Sequence, residues 1–334
     1  MNILHIYKDY FPVLGGIENH IKVLAEAQAA AGHRVIVLVC DPGRRTHVKE
    51  LNGVKVIKAG RLTTAASMPI SLSQPIALAH LRPDVTHVHS PYPLGEAANW
   101  LLGRARATVI THHSDVVRQQ GWLRLYSPFL RRVLRTADCI IATSSRYIET
   151  SPWLRPVREK CVVVPLGVDR HRFVLPSPTF SGPPTLLFVE KLRYYKGFDT
   201  LLRALANLPE VRLNIVGDGP MRTPWQILAA KLGVADRVRF FGEVDDTDLP
   251  SLYHQAHLFV LPANARAEAF GSVLLEAMAC GTPVITSNAS SLPEVVGEAG
   301  IMVEPRDVRV LTEAMERVLT DEGKRREMRE KGLQ

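Results

Sequence analysis

Residues 185–216 read TLLFVEKLRYYKGFDTLLRALANLPEVRLNIV. The first six residues are mostly apolar on both faces of an extended chain, and the last six (211–216) place Val211, Leu213 and Ile215 on one face. The stretch between them, 198–206, places Phe198, Leu201, Leu202 and Leu205 at helical spacing. Strands apolar on both faces and separated by helices imply a parallel sheet covered on both sides. The same alternation continues outward. In the second half, strand-like runs fall at 237–241, 257–261 and 283–286. In the first half they fall at 2–7, 34–40, 54–58, 85–89, 107–111, 139–143 and 161–165, with helical patterns such as 18–31, 225–232 and 272–279 between runs. Residues 166–185 hold four prolines and no helical period. The expected organisation is two doubly wound α/β domains, 1–170 and 185–334, joined by a linker over 171–184.

The chain has 334 residues, 46% hydrophobic and 22% charged, which excludes a disordered chain. No apolar run reaches the roughly 18–20 residues of a membrane span, and MNILHIY at the start lacks the pattern of a secretory leader. Cys40, Cys139, Cys161 and Cys280 form no CxxC pair and read as free thiols of a reducing compartment. A cytoplasmic protein is expected. The net charge of +8 is uneven: residues 1–170 carry 22 Lys+Arg against 12 Asp+Glu, and residues 171–334 carry 19 against 21. The basic half should face something anionic: nucleic acid, a lipid surface or a phosphorylated ligand.

Ligands of doubly wound domains bind beyond the C-terminal strand ends. After strand 257–261 comes EAFGSVLLEAMACGTPVI (268–285), opening a helix near Ser272. The amides of Phe270, Gly271, Ser272 and Val273 at a helix start suit an anion, and Gly271 would let a ligand approach the backbone. Glu268, before the helix, and Glu276, one turn inside it, would then accept sugar hydroxyls. The same pattern also arises from a carboxylate favoured by the helix dipole plus a surface Glu. After strand 185–190 comes KLRYYKG (191–197), whose Lys191 and Lys196 could clamp a diphosphate or could be a solvated basic loop. Gly217-Asp-Gly-Pro220 is a turn with little functional content.

In the first half, Gly15-Gly16-Ile17-Glu18 follows the first strand and opens a helix. It is either an anion-binding turn or a tight connection. His87 and His89 share a strand face and His112 and His113 end another, but no acidic or cysteine ligand accompanies them, so no metal site is expected. Asp246-Thr-Asp248 precedes a helix start and reads as capping. RQQGWLRLYSPFLRRVLR (118–135) has five arginines and no acid, interleaved with aromatic and aliphatic residues, and Pro128 should break or open a helix there. It is either a surface for anionic lipid or a domain helix with a solvated basic face.

The E-x7-E segment resembles that of the retaining glycosyltransferase family 4. The likeness extends through GGIE (15–18), the T-x-H step ending at His113, PLGVD (165–169), KLRYYKG, VGDGP (216–220), FFGEV (240–244) and SSLPEVVGEAG (290–300). The resemblance implies a GT-B fold, two Rossmann-like domains facing a cleft, with retaining transfer of a hexose from a nucleotide diphosphate sugar to a hydroxyl and no metal or other cofactor. It implies that His113 and Glu268 contact the donor sugar and Glu276 the ribose. Phe270, Gly271, Ser272 and Val273 would offer amides to sugar and phosphate. Lys191 and Lys196 would hold the diphosphate, Gly16 would approach it, and Val244 would line the base. The acceptor would be a sugar or a lipid-linked sugar of surface polysaccharide synthesis, reached from the inner membrane face through 118–135. KLRYYKG and SSLPEV look most like mannosyl- or rhamnosyltransferases. Two departures stand out. Glu190 replaces the usual glycine beside the clamp, expected either to repel the donor or to pair with Lys191. The chain also stops before the helix that in the family crosses back to the first domain. These leave open a noncatalytic nucleotide-sugar or polyanion binder. No nucleic-acid motif supports the remaining alternative.

Overall fold

The computed structural model describes residues 1–334 apart from 14, 66–67, 116–119, 171, 174–181 and 265–269, with the backbone alone over 120–125. Two compact units divide at Pro165 and Leu166.

Unit 1 holds β1 (Asn2–Ile6), α1 (Gly16–Ala30), β2 (Arg34–Cys40), β3 (His47–Leu51), β4 (Val54–Ala59), β5 (Thr63–Ala65), β6 (Met68–Ile70) and α2 (Ser73–His80). It continues with β7 (Val85–Ser90), α3 (Pro93–Leu102), β8 (Ala107–His112), α4 (Gln120–Thr136), β9 (Cys139–Ala142), α5 (Ser145–Thr150) and β10 (Cys161–Val163). Its main sheet runs β10-β9-β8-β7-β1-β2-β4-β3. All pairings are parallel except β3 with β4. The sheet is covered on both faces, so Leu4, Val37, Leu38 and Ile140 are fully buried.

Unit 2 holds β11 (Thr185–Val189), α6 (Phe198–Leu205), β12 (Arg212–Val216), α7 (Arg222–Lys231), β13 (Val238–Gly242), α8 (Leu249–Gln255) and β14 (Leu258–Leu261). It continues with α9 (Ser272–Ala279), β15 (Val284–Ser287), α10 (Leu292–Val296), β16 (Gly300–Val303), α11 (Val308–Thr320) and α12 (Glu322–Leu333). Its sheet, β13-β12-β11-β14-β15-β16, is parallel throughout. Every residue of β14 and β15 is buried. Helix α6 lays Phe198, Leu201, Leu202 and Leu205 on the sheet, and truncating Leu201 to alanine there should cost about 2–5 kcal/mol.

Three expectations are corrected. Residues 166–170 belong to unit 2 rather than the first domain, because Val168 and Phe173 pack in its core and Arg172 binds Asp246. Helix α4 runs through Pro128 without ending: Leu130, Val133 and Leu134 are buried, and this packing offsets the loss of one backbone hydrogen bond. Asp248 stands at the start of α8 but makes no side-chain cap, and Asp246 is turned to Arg172. Gly271 has φ 72°, and a Cβ there would press on Leu292 and Leu274. Left-handed backbone and close packing both favour glycine there. The last helix, α12, packs on α9 within unit 2, with Gly332 against Met278 and Arg329 Nε donating to the Gly281 carbonyl at 2.9 Å. The described cysteines are free thiols, Cys40 and Cys280 buried.

Candidate active site

In unit 2 the chain winds from β11 out to β13 and then returns to the other side of β11 with β14. The sheet therefore has a switch point between β11 and β14, where the loops that follow the two strands diverge and leave a crevice. KLRYYKG follows β11, and the E-x7-E segment follows β14. The two loops are fastened together. Asn264 N–H donates to the Tyr195 carbonyl at 2.9 Å. Gly197, at φ 71°, lies so close to the Pro262 carbonyl that no side chain fits. Lys196 is thereby drawn into the protein, 6% exposed, whereas Lys191 is exposed. Glu190 pairs with the Lys196 ammonium. Of the two expectations for Glu190, the pair with Lys191 is corrected to a pair with Lys196. The chain after β11 continues in sheet register, Glu190 N–H donating to the Val216 carbonyl at 3.0 Å, and the loop then carries Lys196 back over it. The Gly217–Pro220 turn has the structural part expected of it: Leu192 N–H donates to the Asp218 carbonyl at 2.9 Å.

Glu276 lies one turn inside α9. Its Oε2 accepts a 2.9 Å hydrogen bond from Tyr253 Oη, which comes from the fully buried Tyr253 of α8. Burial pushes the Glu276 carboxyl up to about 7, while the Tyr253 hydrogen bond and the Arg172 charge pull it down and Asp246 adds to the rise. Arg172 donates to the Asp246 carbonyl from Nε (3.1 Å) and Nη2 (2.7 Å) and to its carboxylate from Nη1 (3.1 Å). In the sequence Tyr253 and Arg172 carry no motif, and Asp246 reads only as part of a helix cap. Tyr253 is one more aromatic position of a helix in the sequence, and only its hydroxyl distinguishes it. Phe270 is buried, and Ser272, Val273 and Val244 are half-buried, with Val273 and Val244 packed on the core. Glu268 lies outside the described residues.

Unit 1 has its own switch point between β1 and β7. Gly15–Glu18 follows β1, and α1 begins at Gly16. The Glu18 carboxylate folds back over Gly15, and Gly16 is exposed with open space where a Cβ would stand. An acid therefore already faces the helix start that an anion would use. Beside it lie five histidines. His5 stands in register with His87 across β1 and β7. His89 is two residues farther along β7, His113 follows β8, and His20 comes from α1. His113 is 6% exposed. Its N–H donates to the Ser90 carbonyl at 2.8 Å, and its ring stacks on His89 with centroids 5.2 Å apart. The neighbouring His112 is structural, held by Ser90 Oγ at 3.0 Å and Asp115 at 3.3 Å. Burial pulls the His113, His87 and His89 imidazoles well below the usual histidine range and His5 to about 4, against the pull of its Gln28 hydrogen bond. The ring nitrogens of His5, His87 and His89, and those of His20, His89 and His113, come within 4.8 Å of one another. Such triads can ligate a cation. However, His5 to His89 and His89 to His113 are already joined by nitrogen–nitrogen hydrogen bonds of 3.0 Å, which a cation would have to break.

The family descriptions that match the chain fit this arrangement of two units. Residues 14–172 match "Glycosyltransferase Family 4" and residues 170–334 match "Glycosyl transferases group 1". A D-rhamnosyltransferase of Pseudomonas aeruginosa is 36% identical over 330 residues, covering 94% of this chain and 86% of its own. The chain belongs to glycosyltransferase family 4. An O-antigen chain mannosyltransferase of Escherichia coli is 32% identical, over 96% of this glycosyltransferase and 90% of the relative. Among solved structures, sucrose-phosphate synthase from Thermosynechococcus elongatus superposes with a TM-score of 0.81 at 26% identity, covering 99% of this chain and 93% of that one. Anabaena HepE, solved with UDP-glucose, superposes with a TM-score of 0.77 at 19% identity over 100% and 93% of the two chains. The glycosyltransferase thus has the GT-B fold of two Rossmann-like units, and it is a sugar-transferring enzyme.

Proposed function

We propose that this glycosyltransferase moves a hexose, mannose or rhamnose before others, from a nucleotide diphosphate sugar to a hydroxyl of a growing surface polysaccharide or glycolipid, with retention of configuration. The observation that carries the reading is the unit 2 switch point, where a buried cation (Lys196), a helix start (α9) and a half-buried carboxyl held by Tyr253 (Glu276) stand on the loops and helix that follow β11 and β14. The relatives' rhamnosyl and mannosyl transfer supports the choice of sugar, and the neighbour solved with UDP-glucose supports the donor class. In this reading Glu276 accepts the ribose hydroxyls, and the α9 amides, Lys196 and Lys191 stabilise the departing diphosphate. The leaving phosphate takes the acceptor's proton on the same face. Phe270, Gly271, Ser272 and Val273 supply the amides, Val244 lies beside the base, Gly16 faces the diphosphate, and Glu268 and His113 meet the donor sugar. No metal takes part.

The Glu190–Lys196 pair favours one second reading, a nucleotide-sugar binder that does not turn over, because it neutralises a cation the leaving group needs. A thermal-shift panel of GDP-, UDP- and dTDP-sugars, followed by donor-hydrolysis and transfer assays with the stabilising donor, tests both. Stabilisation with transfer supports the enzyme, stabilisation alone supports the binder, and neither would sink the donor class.

No described helix is long and apolar enough to cross a membrane. Over the described side chains of α4, the apolar face is consumed by the core and Arg131, Arg132 and Arg135 stay exposed. Beside them α3 ends in exposed Trp100, Leu101 and Leu102, with the Arg132 guanidinium 5.4 Å from the Trp100 ring centroid. The reading therefore places these arginines on the headgroups of an anionic membrane at the cytoplasmic face, with Trp100 and its leucines at the boundary. Residues 116–119 and the side chains of 120–125, the rest of the expected surface, lie outside the described residues.

A further inference from the structure

Three imidazoles of unit 1 are hydrogen-bonded in file, and the file ends at His113. Gln28 Oε1 lies 2.7 Å from His5 Nε2. His5 Nδ1 lies 3.0 Å from His89 Nε2, and His89 Nδ1 lies 3.0 Å from His113 Nε2. A neutral imidazole carries one ring proton, so one nitrogen donates and the other accepts. Each link joins the Nδ1 of one ring to the Nε2 of the next. The file is satisfied only when all three rings share a tautomer. With an amide oxygen at its head, His5 carries its proton on Nε2. Its bare Nδ1 accepts from His89 Nε2–H, and the bare Nδ1 of His89 accepts from His113 Nε2–H. His113 is left with an unprotonated Nδ1. Turning the Gln28 amide to present its NH2 group would reverse every link and make His113 Nδ1 a donor.

The surroundings hold the rings neutral and in place. His5 and His89 are fully buried, and burial disfavours their charged forms. His87 stacks on His89 with centroids 4.3 Å apart, and its Nε2 is 2.6 Å from Thr111 Oγ1. His20 meets His113 edge-on at 5.3 Å. The strands supply the alignment, since β1 and β7 are adjacent at the switch point and present His5 and His89 toward the ring that follows β8.

We propose that Gln28, His5 and His89 are positioning residues that hold His113 in its Nε2–H tautomer, so that Nδ1 accepts a hydrogen bond from a hydroxyl of the donor sugar. The inference rests on the placement of His113 at that sugar, and it assigns a part to three residues that do not themselves meet the ligand. A sugar hydroxyl donates readily to a bare imidazole nitrogen, whereas the reversed file would offer a proton in its place.

The test uses the full chain labelled with [15N]histidine and long-range 1H–15N correlation spectra, with His113 assigned by its loss in His113→Gln. Wild type and Gln28→Glu, which keeps an acceptor oxygen, should show His113 protonated on Nε2. Gln28→Leu should show a mixed or Nδ1-protonated ring. With melting curves confirming that both variants fold, kcat/KM for sugar transfer should fall on the order of tenfold in Gln28→Leu, the worth of one neutral hydrogen bond, and recover in Gln28→Glu. A wild-type His113 protonated on Nδ1, or a His113 tautomer unmoved in Gln28→Leu, overturns the inference. A wild type that shows the expected tautomer and transfers no sugar overturns the functional reading instead, and leaves the tautomer standing.

Discussion

Donor binding should depend on pH through Glu276. Its carboxyl is pushed up to about 7 by burial, and only the ionised form accepts hydrogen bonds from both ribose hydroxyls. The diphosphate of a nucleotide sugar stays ionised over this range and adds no slope. At pH 6 about one-tenth of Glu276 is ionised and at pH 8 about nine-tenths, so donor Kd should weaken about tenfold between them. The slope below the midpoint should be one proton per donor bound. Stability runs the other way. A carboxyl raised above its unfolded value keeps its proton in the native state, so its contribution is fully present below about pH 4.5 and is lost as the pH rises through about 7. Tyr253→Phe removes a hydrogen bond that holds the carboxyl down, so the midpoint of donor binding should move to higher pH. Glu276→Ala should abolish the slope and cost about 1.5–3 kcal/mol at pH 8, the loss of charge-assisted hydrogen bonds. Isothermal calorimetry at closely spaced pH values reads all three. A wild-type Kd that is flat from pH 6 to 8, or unchanged in Glu276→Ala, would refute the ribose role.

Three further outcomes follow from the same geometry. Glu190→Gly removes the carboxylate that pairs with Lys196 and leaves more of the ammonium charge to the diphosphate, so the donor should bind more tightly while the melting temperature falls with the loss of the ion pair; calorimetry showing equal or weaker binding removes Glu190 from the site. Transfer should survive EDTA, since lysines and helix amides carry the leaving group, and a loss restored by Mg2+ or Mn2+ would contradict that. Reversing Arg131, Arg132 and Arg135 to Glu together should abolish sedimentation with anionic vesicles at low salt, each arginine being worth about 1 kcal/mol near the surface. Equal sedimentation of the native chain with neutral and anionic vesicles would leave these arginines as an ordinary solvated face.

Most strands and helices were legible because their signals are local. TLLFV and LFVL are apolar on both faces, RLNIV alternates with Leu213 and Ile215 buried, and 272–279 starts and ends where the helix does. The loops that follow β1, β11 and β14 were legible for the same reason. Strand β3, His47–Leu51, carries no such signal, because four of its five residues are exposed and it is held only by antiparallel pairing at the sheet edge.

By itself, then, the sequence determined two α/β units built on mainly parallel sheets, the loops at their strand ends, and the family. Side-chain alternation also placed His87 and His89 on one face of a strand. Tertiary structure alone decided the partners. Which lysine Glu190 would meet depended on Gly197 folding the loop against Pro262. That Glu276 would lean on Tyr253 depended on α8 packing beside α9. The histidine file depended on β1 lying next to β7, which brings residues 5, 28, 89 and 113 together. Periodicity along a chain reports which face a residue takes, because backbone geometry is local. Which residue stands opposite it is set by strand order, and strand order is chosen by the burial of the whole sheet.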